Sequence, residues 1–195
     1  MEISALLNEA TAKKGNGEID EAIKLLREAY SEIAQTNIDY TVTTFLRLPL
    51  YLQEAKRNDE AWREFNLLLT VGYPNQLQTP GAIENDESII YDKMRLFLQR
   101  EDNNTLAIQY GILSYLSSAV GRYIIKDRDE FFKAQYENWI SKNTYKKIII
   151  KLLKKAKQED KLQEICDVVQ NWINVIPTED ILVVEEAVAK IVNNK

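Results

Sequence analysis

Apolar residues recur along this chain every three to four positions, the spacing that gathers them on one face of an α-helix. Short polar breaks divide the stripes. Read end to end, the pattern predicts helices near 3–14, 18–36, 39–56, 59–71, 87–101, 104–120, 128–141, 143–157, 160–175 and 179–193. The longest break is VGYPNQLQTPGAIENDE, from Val71 to Glu87, where Pro74 and Pro80 oppose helix. A loop of that length reads equally as a functional segment or as an insertion tolerated at the surface. Acidic pairs mark two helix starts, Asp20–Glu21 and Asp59–Glu60, with Asn58 as the expected N-cap of the latter. The last helix is expected to cap the array, with Pro177 before it, Thr178 as N-cap and Glu179 and Asp180 in its first turn.

The stripes repeat. LPLYLQEAKRNDEAW, starting at Leu48, and RLFLQREDNNTLAI, starting at Arg95, align with a shift of 46 positions. Tyr51 then meets Phe97, Leu52 meets Leu98, Gln53 meets Gln99 and Ala61 meets Ala107. A fainter upstream copy, NEATAKKGNGEIDEAIKLLREAY, places Ala22 on Ala61 with a shift of 39. A fourth and weakest copy, KLLKKAKQEDKLQEICDVV, sets Asp160 on Asp59 and puts Leu162 where the others have alanine. Each copy reads as a helical hairpin. Its alanine fits a close crossing of two antiparallel helices, where a larger side chain would force them apart.

These residues resemble the tetratricopeptide repeat family. Its second helix carries a small residue, a large apolar one four later and a small one three after that. Ala22, Leu26 and Ala29 match all three positions. Ala61 and Phe65 match two, with Leu68 in the third place, and Ala107 matches only the first, with Gly111 and Ser114 after it. The repeats here are longer than the usual length of about 34 residues. The match is clearest over 1–71, degenerate over 87–120, and reduced over 121–195 to a weak repeat and capping helices. The first hundred residues also look like uncharacterised bacterial proteins of this type. The resemblance implies an all-α fold, a right-handed stack of about ten helices forming one domain over 1–195, with a concave face built from the first helices. The lysine and asparagine that clamp a peptide carboxylate in the family are replaced in the first repeat by Leu7 and Thr11.

Composition narrows the function. The 195 residues contain only six glycines and four prolines, which favours long helices over a turn-rich β fold. The net charge of −5 argues against broad nucleic-acid binding. A single cysteine, Cys166, precludes an internal disulfide framework and suits a reducing compartment. MEISALLNEA has no signal-peptide character, and no run nears the roughly 20 apolar residues of a membrane helix. A cytoplasmic protein without membrane association is expected, and NNT at Asn103–Thr105 reads as a turn.

Catalytic signals are sparse. There is no histidine, hence no Ser-His or Cys-His pair and no histidine metal site. Cys166 lies in the stripe Leu162, Ile165, Val169 and reads as a buried thiol. Neither GNG at Gly15 nor GYPNQ at Gly72 has the spacing of a phosphate loop. KDRDE at Lys126–Glu130 lacks the glycine and distal glutamate of an EF-hand, and ENDE at Glu84–Glu87 reads as helix capping. The window 142–161 holds eight lysines against Glu159 and Asp160, a charge of +6. Its stripe of Tyr145, Ile148, Ile149, Leu152, Leu153 and Ala156 faces away from Lys147, Lys151 and Lys154. That reads first as an ordinary solvated face and second as a docking face. Tyr30, Tyr51, Trp62, Phe65, Phe97, Trp139 and Trp172 all fit apolar stripes and read as core.

The expectation is a non-enzymatic protein-interaction module without cofactor or metal, which holds a peptide or folded protein on the concave face. Repeat-matched groove candidates are Arg47, Gln53, Lys93, Gln99 and Arg100. The alternatives are an inhibitor of a toxin or nuclease, in the manner of bacterial immunity proteins, and a carboxylate- or metal-dependent enzyme.

Overall fold

The computed structural model describes residues 2–142, 144–175 and 180–194, and every regular element among them is helical. The chain gathers into two compact units, Met1–Leu77 and Gln78–Lys195, so the domain read over 1–195 divides internally at that point. The first unit holds α1 (Ile3–Gly15), α2 (Ile19–Ile33), α3 (Val42–Phe45), α4 (Arg47–Glu54) and α5 (Asn58–Thr70). The second holds α6 (Ala82–Arg100), α7 (Asn104–Ile125), α8 (Glu130–Ser141), α9 (Thr144–Ala156), α10 (Leu162–Val175) and α11 (Ile181–Asn193). Short 3-10 turns precede α8 and α10.

Four hairpins turn in the same way: α1–α2, α4–α5, α6–α7 and α9–α10. Each turn contains one left-handed residue, namely Gly17 (φ 82°), Lys56 (φ 62°), Asp102 (φ 57°) and Lys157 (φ 56°). The next N–H reaches back over the helix end: Glu18 to the Lys13 carbonyl (2.9 Å), Arg57 to Leu52 (2.8 Å), Asn103 to Leu98 (2.9 Å) and Gln158 to Leu153 (3.0 Å). This is a Schellman ending, which satisfies carbonyls the helix leaves open. The left-handed residue stands at the same place before Ala22, Ala61, Ala107 and Leu162. All four turns therefore fall in register with the sequence alignment, the weakest copy included. The N-cap of α5 is Arg57, one residue before the expected Asn58, because the turn closes on Arg57.

In the first unit α2 packs on α1 and α4, and α4 packs on α5. Ala22, Leu26, Ala29, Ala61 and Phe65 are completely buried. Burying a leucine or phenylalanine stabilises by roughly 1.5–3 kcal/mol each, and the alanines let the backbones approach. The helix expected over 39–56 is broken at Leu46 into α3 and α4. Pro49 is the cause. It has no N–H to pair with the carbonyl four residues back, that of Phe45. The Tyr30 hydroxyl donates to the neighbouring Thr44 carbonyl (2.5 Å), with the Phe45 carbonyl 3.4 Å away.

The second unit is organised about α7, which touches α6, α8, α9 and α11. Its small residues make room. A Cβ on Gly111 would stand 2.7 Å from Leu152 Cδ1 of α9 and 3.1 Å from Arg95 Cδ of α6. The departure from the repeat pattern at Gly111 thus marks the point where two helices close on a third. Helix α6 begins at Ala82, earlier than the expected 87, so the long break shrinks and ENDE lies inside the helix. Gly81 permits this start, with φ 83° and its carbonyl against α7 at Gly121. Asp129 of KDRDE is an N-cap, accepting from the N–H groups of Phe131 (2.9 Å) and Phe132 (3.1 Å). Pro177, Thr178 and Glu179 lie outside the described residues, and Asp180 caps α11 by accepting from the Leu182 N–H at 3.0 Å.

Candidate functional site

Arg47 opens α4, the first helix of its hairpin, and reaches across to α1. Its guanidinium donates to the Leu7 carbonyl and to Thr11 Oγ1, both at 2.7 Å, and lies 5.8 Å from the Tyr51 ring centroid. Leu7 and Thr11 are the α1 residues that the sequence resemblance sets at the repeat family's clamp positions. Here they hold a cation. No carboxylate lies within 4.0 Å of Arg47 among the described residues, so its charge is positioned but not neutralised by an ion pair. Lys14, also 5.8 Å from the Tyr51 ring centroid, is paired with Glu54 at 3.0 Å.

The other groove candidates divide. Gln53 is only 4% exposed, inside the α4 interface rather than on an open floor, because its helical position points into the hairpin. It is not placed to bond an extended partner. Lys93 is half-buried on α6, 3.9 Å from Asp92. Gln99 accepts from Arg95 Nη1 at 2.8 Å, and Arg95 is also bound to Asp92 at 2.6 Å. Arg100 is exposed at the end of α6. Arg47 and Gln53 thus belong to the first unit, and Lys93, Gln99 and Arg100 to the second.

The first unit also has an apolar pocket of about 250 Å³ between α2, α3, α4, α5 and the segment after α5. Tyr30, Phe45, Leu48 and Leu68 line it, with Leu67 (51% exposed) and Val71 (79%) at its rim. Phe45 stacks on Tyr73 with centroids 4.7 Å apart, and Asn75 ties the segment down by donating to the Thr36 and Ile38 carbonyls.

A pocket of about 340 Å³ opens in the second unit between α6, α7 and α11. Glu84, Glu87 and Tyr91 of α6 line it, with Ser117 and Val120 of α7 and Asp180, Ile181 and Leu182 at the start of α11. The glycine contact builds one wall, since a Cβ on Gly121 would stand 3.2 Å from Glu84 Cβ. Burial, then the charge of Glu84, pushes the Glu87 carboxyl up. Tyr91 is pushed up to about 12 by burial and by Glu87, Tyr110, Asp180 and Glu185. Ser117 is 1% exposed, and its hydroxyl has no hydrogen-bond partner among the described residues.

Sequence reasoning passed over this pocket by reading ENDE as capping. The one local signal is that Glu84, Glu87 and Tyr91 fall at i, i+3 and i+7, on a single helical face.

Cys166 is buried, and that burial raises its thiol pKa against the opposing pull of Lys146. On α9, Tyr145, Ile149, Leu152 and Leu153 are buried while Ile148 is 39% exposed, and Lys147, Lys151 and Lys154 face solvent. Trp172 is core, whereas Trp62 and Trp139 are half-buried, the latter stacked on Tyr115. Among the described residues no group of three or more His, Cys, Asp or Glu side chains is placed to hold a metal ion. No described helix is long and apolar enough to cross a membrane. No protein-family model, curated protein or solved structure matches the chain.

Proposed function

We propose that the chain is a non-catalytic protein-interaction module of tetratricopeptide type, which binds an acidic segment of a peptide or folded protein on the α1–α4 face. Arg47 carries this reading. Its guanidinium is oriented by two short bonds and rests near an aromatic ring, and among the described residues no carboxylate lies within 4.0 Å of it. A partner carboxylate meeting a cation already held in place loses less side-chain entropy on binding than one meeting a free side chain. The adjacent first helices of the two hairpins supply the surface, and the four equivalent turns support the repeat reading on which that surface depends.

The test is peptide selection on the immobilised protein from a random library, followed by calorimetry of the selected peptides. Selected sequences should share an acidic residue, and Arg47→Ala should weaken them by about tenfold, the loss of one charge-assisted contact. The variant must keep the wild-type circular dichroism spectrum. Selected peptides that lack acidic residues, or that bind Arg47→Ala unchanged, move the site off this face.

A further inference from the structure

The second unit gathers carboxylates around one pocket. Glu84, Glu87 and Asp180 line the α6–α7–α11 pocket, and Glu185 acts on the Tyr91 and Tyr110 phenols beside it. Some carboxylates elsewhere have partners, such as Glu18 with Lys13, Glu54 with Lys14 and Glu60 with Arg57. No Lys or Arg lies within 4.0 Å of Glu84, Glu87, Asp180 or Glu185 among the described residues. The start of α11 brings its own positive end to the pocket, and Asp180 already meets it through the Leu182 N–H.

A second, independent feature points the same way. Ser117 lines this pocket, and its hydroxyl is almost wholly buried with no hydrogen-bond partner among the described residues. A hydroxyl left so costs about 1–3 kcal/mol unless something bonds it. Val120, Ile181 and Leu182 give the pocket an apolar side, and the face of Tyr91 can receive a cation. The volume of about 340 Å³ suits a small molecule or one side chain. The carboxylates do not converge as metal ligands do. The fitting chemistry is a compact charge with several N–H donors on an apolar stem.

We propose that this pocket binds a protonated primary alkylamine, its ammonium among Glu84, Glu87 and Asp180, with Ser117 accepting one N–H and the alkyl chain along Val120, Ile181 and Leu182. A free amine and the lysine side chain of another protein share this chemistry. The site is separate from the Arg47 face and stands or falls without it.

The test is calorimetric titration of the full-length protein at neutral pH with n-butylammonium chloride, Nα-acetyl-lysine N-methylamide and 1-butanol. Both ammonium probes should saturate one site, and 1-butanol should not. The tighter of the two ammonium probes distinguishes a free amine from a protein side chain as the natural source. Glu87→Gln should weaken both by about tenfold and Ser117→Ala by a few-fold, with helical content unchanged. If Glu87→Gln fails to fold, Glu84→Gln carries the same expectation. No saturable binding of either ammonium probe, equal binding of 1-butanol, or unchanged affinity in the folded variants would overturn the proposal.

Discussion

Gly17 and Lys56 hold the same left-handed backbone position in successive hairpin turns, with φ of 82° and 62°. Only the glycine does so without a Cβ penalty, which costs a non-glycine residue roughly 1–2 kcal/mol. Nothing lies within 4 Å of a Cβ added at Gly17, so Gly17→Ala tests conformation alone. It should lower unfolding free energy by about 1 kcal/mol. Lys56→Gly should raise it by up to about 1 kcal/mol, since the lysine side chain is exposed. Urea unfolding of the two variants should give shifts of opposite sign.

Ala61 is completely buried on α5, which packs on α4. Ala61→Leu should overpack that contact and cost about 1–3 kcal/mol. Thermal melting checks it, and an unchanged midpoint would show that the alanine is not at a close crossing.

The phenols of Tyr30, Tyr91, Tyr110 and Tyr115 are all raised, by burial first. A group whose folded pKa is raised contributes stability below its unfolded pKa, about 10 for tyrosine, and loses it as pH rises through the folded value. For Tyr91 that window runs from about 10 to about 12. The tyrosine contribution to unfolding free energy should therefore be flat below the window and fall within it. Tyr91→Phe should flatten part of that fall.

Glu87 obeys the same sign. Its raised pKa means the folded state prefers the protonated acid, so at neutral pH the ionised side chain opposes folding. Glu87→Gln should melt higher than wild type at pH 7, and the gap should close as acid protonates Glu87. A gap independent of pH would assign the effect to packing.

Cys166 is 7% exposed with a raised thiol pKa. A thiol reagent should label the native protein far more slowly than the urea-unfolded chain. Equal rates would place the thiol at the surface.

The hairpins were legible because local chemistry determines them. Ala22, Ala61 and Ala107 marked the crossings, and the turns fell five residues before each. The break at Leu46 was hidden because Pro49 sits inside an otherwise unbroken apolar stripe, and the Tyr30 hydroxyl that bonds the Thr44 carbonyl there comes from a distant helix. The early start of α6 depended on Gly81 meeting Gly121, a contact no spacing along the chain records. Arg47 was legible as a repeat-matched cation, but its hold on Leu7 and Thr11 was not. Gln53 was misplaced because matching position in two copies does not reveal which way a polar side chain faces. The acidic pocket was out of reach for the same reason as any site assembled from distant segments: residues 84–91, 117–120 and 180–182 are adjacent only after folding.

That assembly imposes an order in time. In the first unit each helix closes on one made just before it, so a nascent chain can bury Leu6 and Leu26 while later segments are still being synthesised. Helix α7 is different, because one of its partners is α11, the last described element to leave the ribosome. Val188 and Ile191 must arrive before that end of the unit is complete, and non-local closure of this kind slows folding. An occupied pocket would then act as a closure signal, reporting that α11 has been made and has docked against α6 and α7.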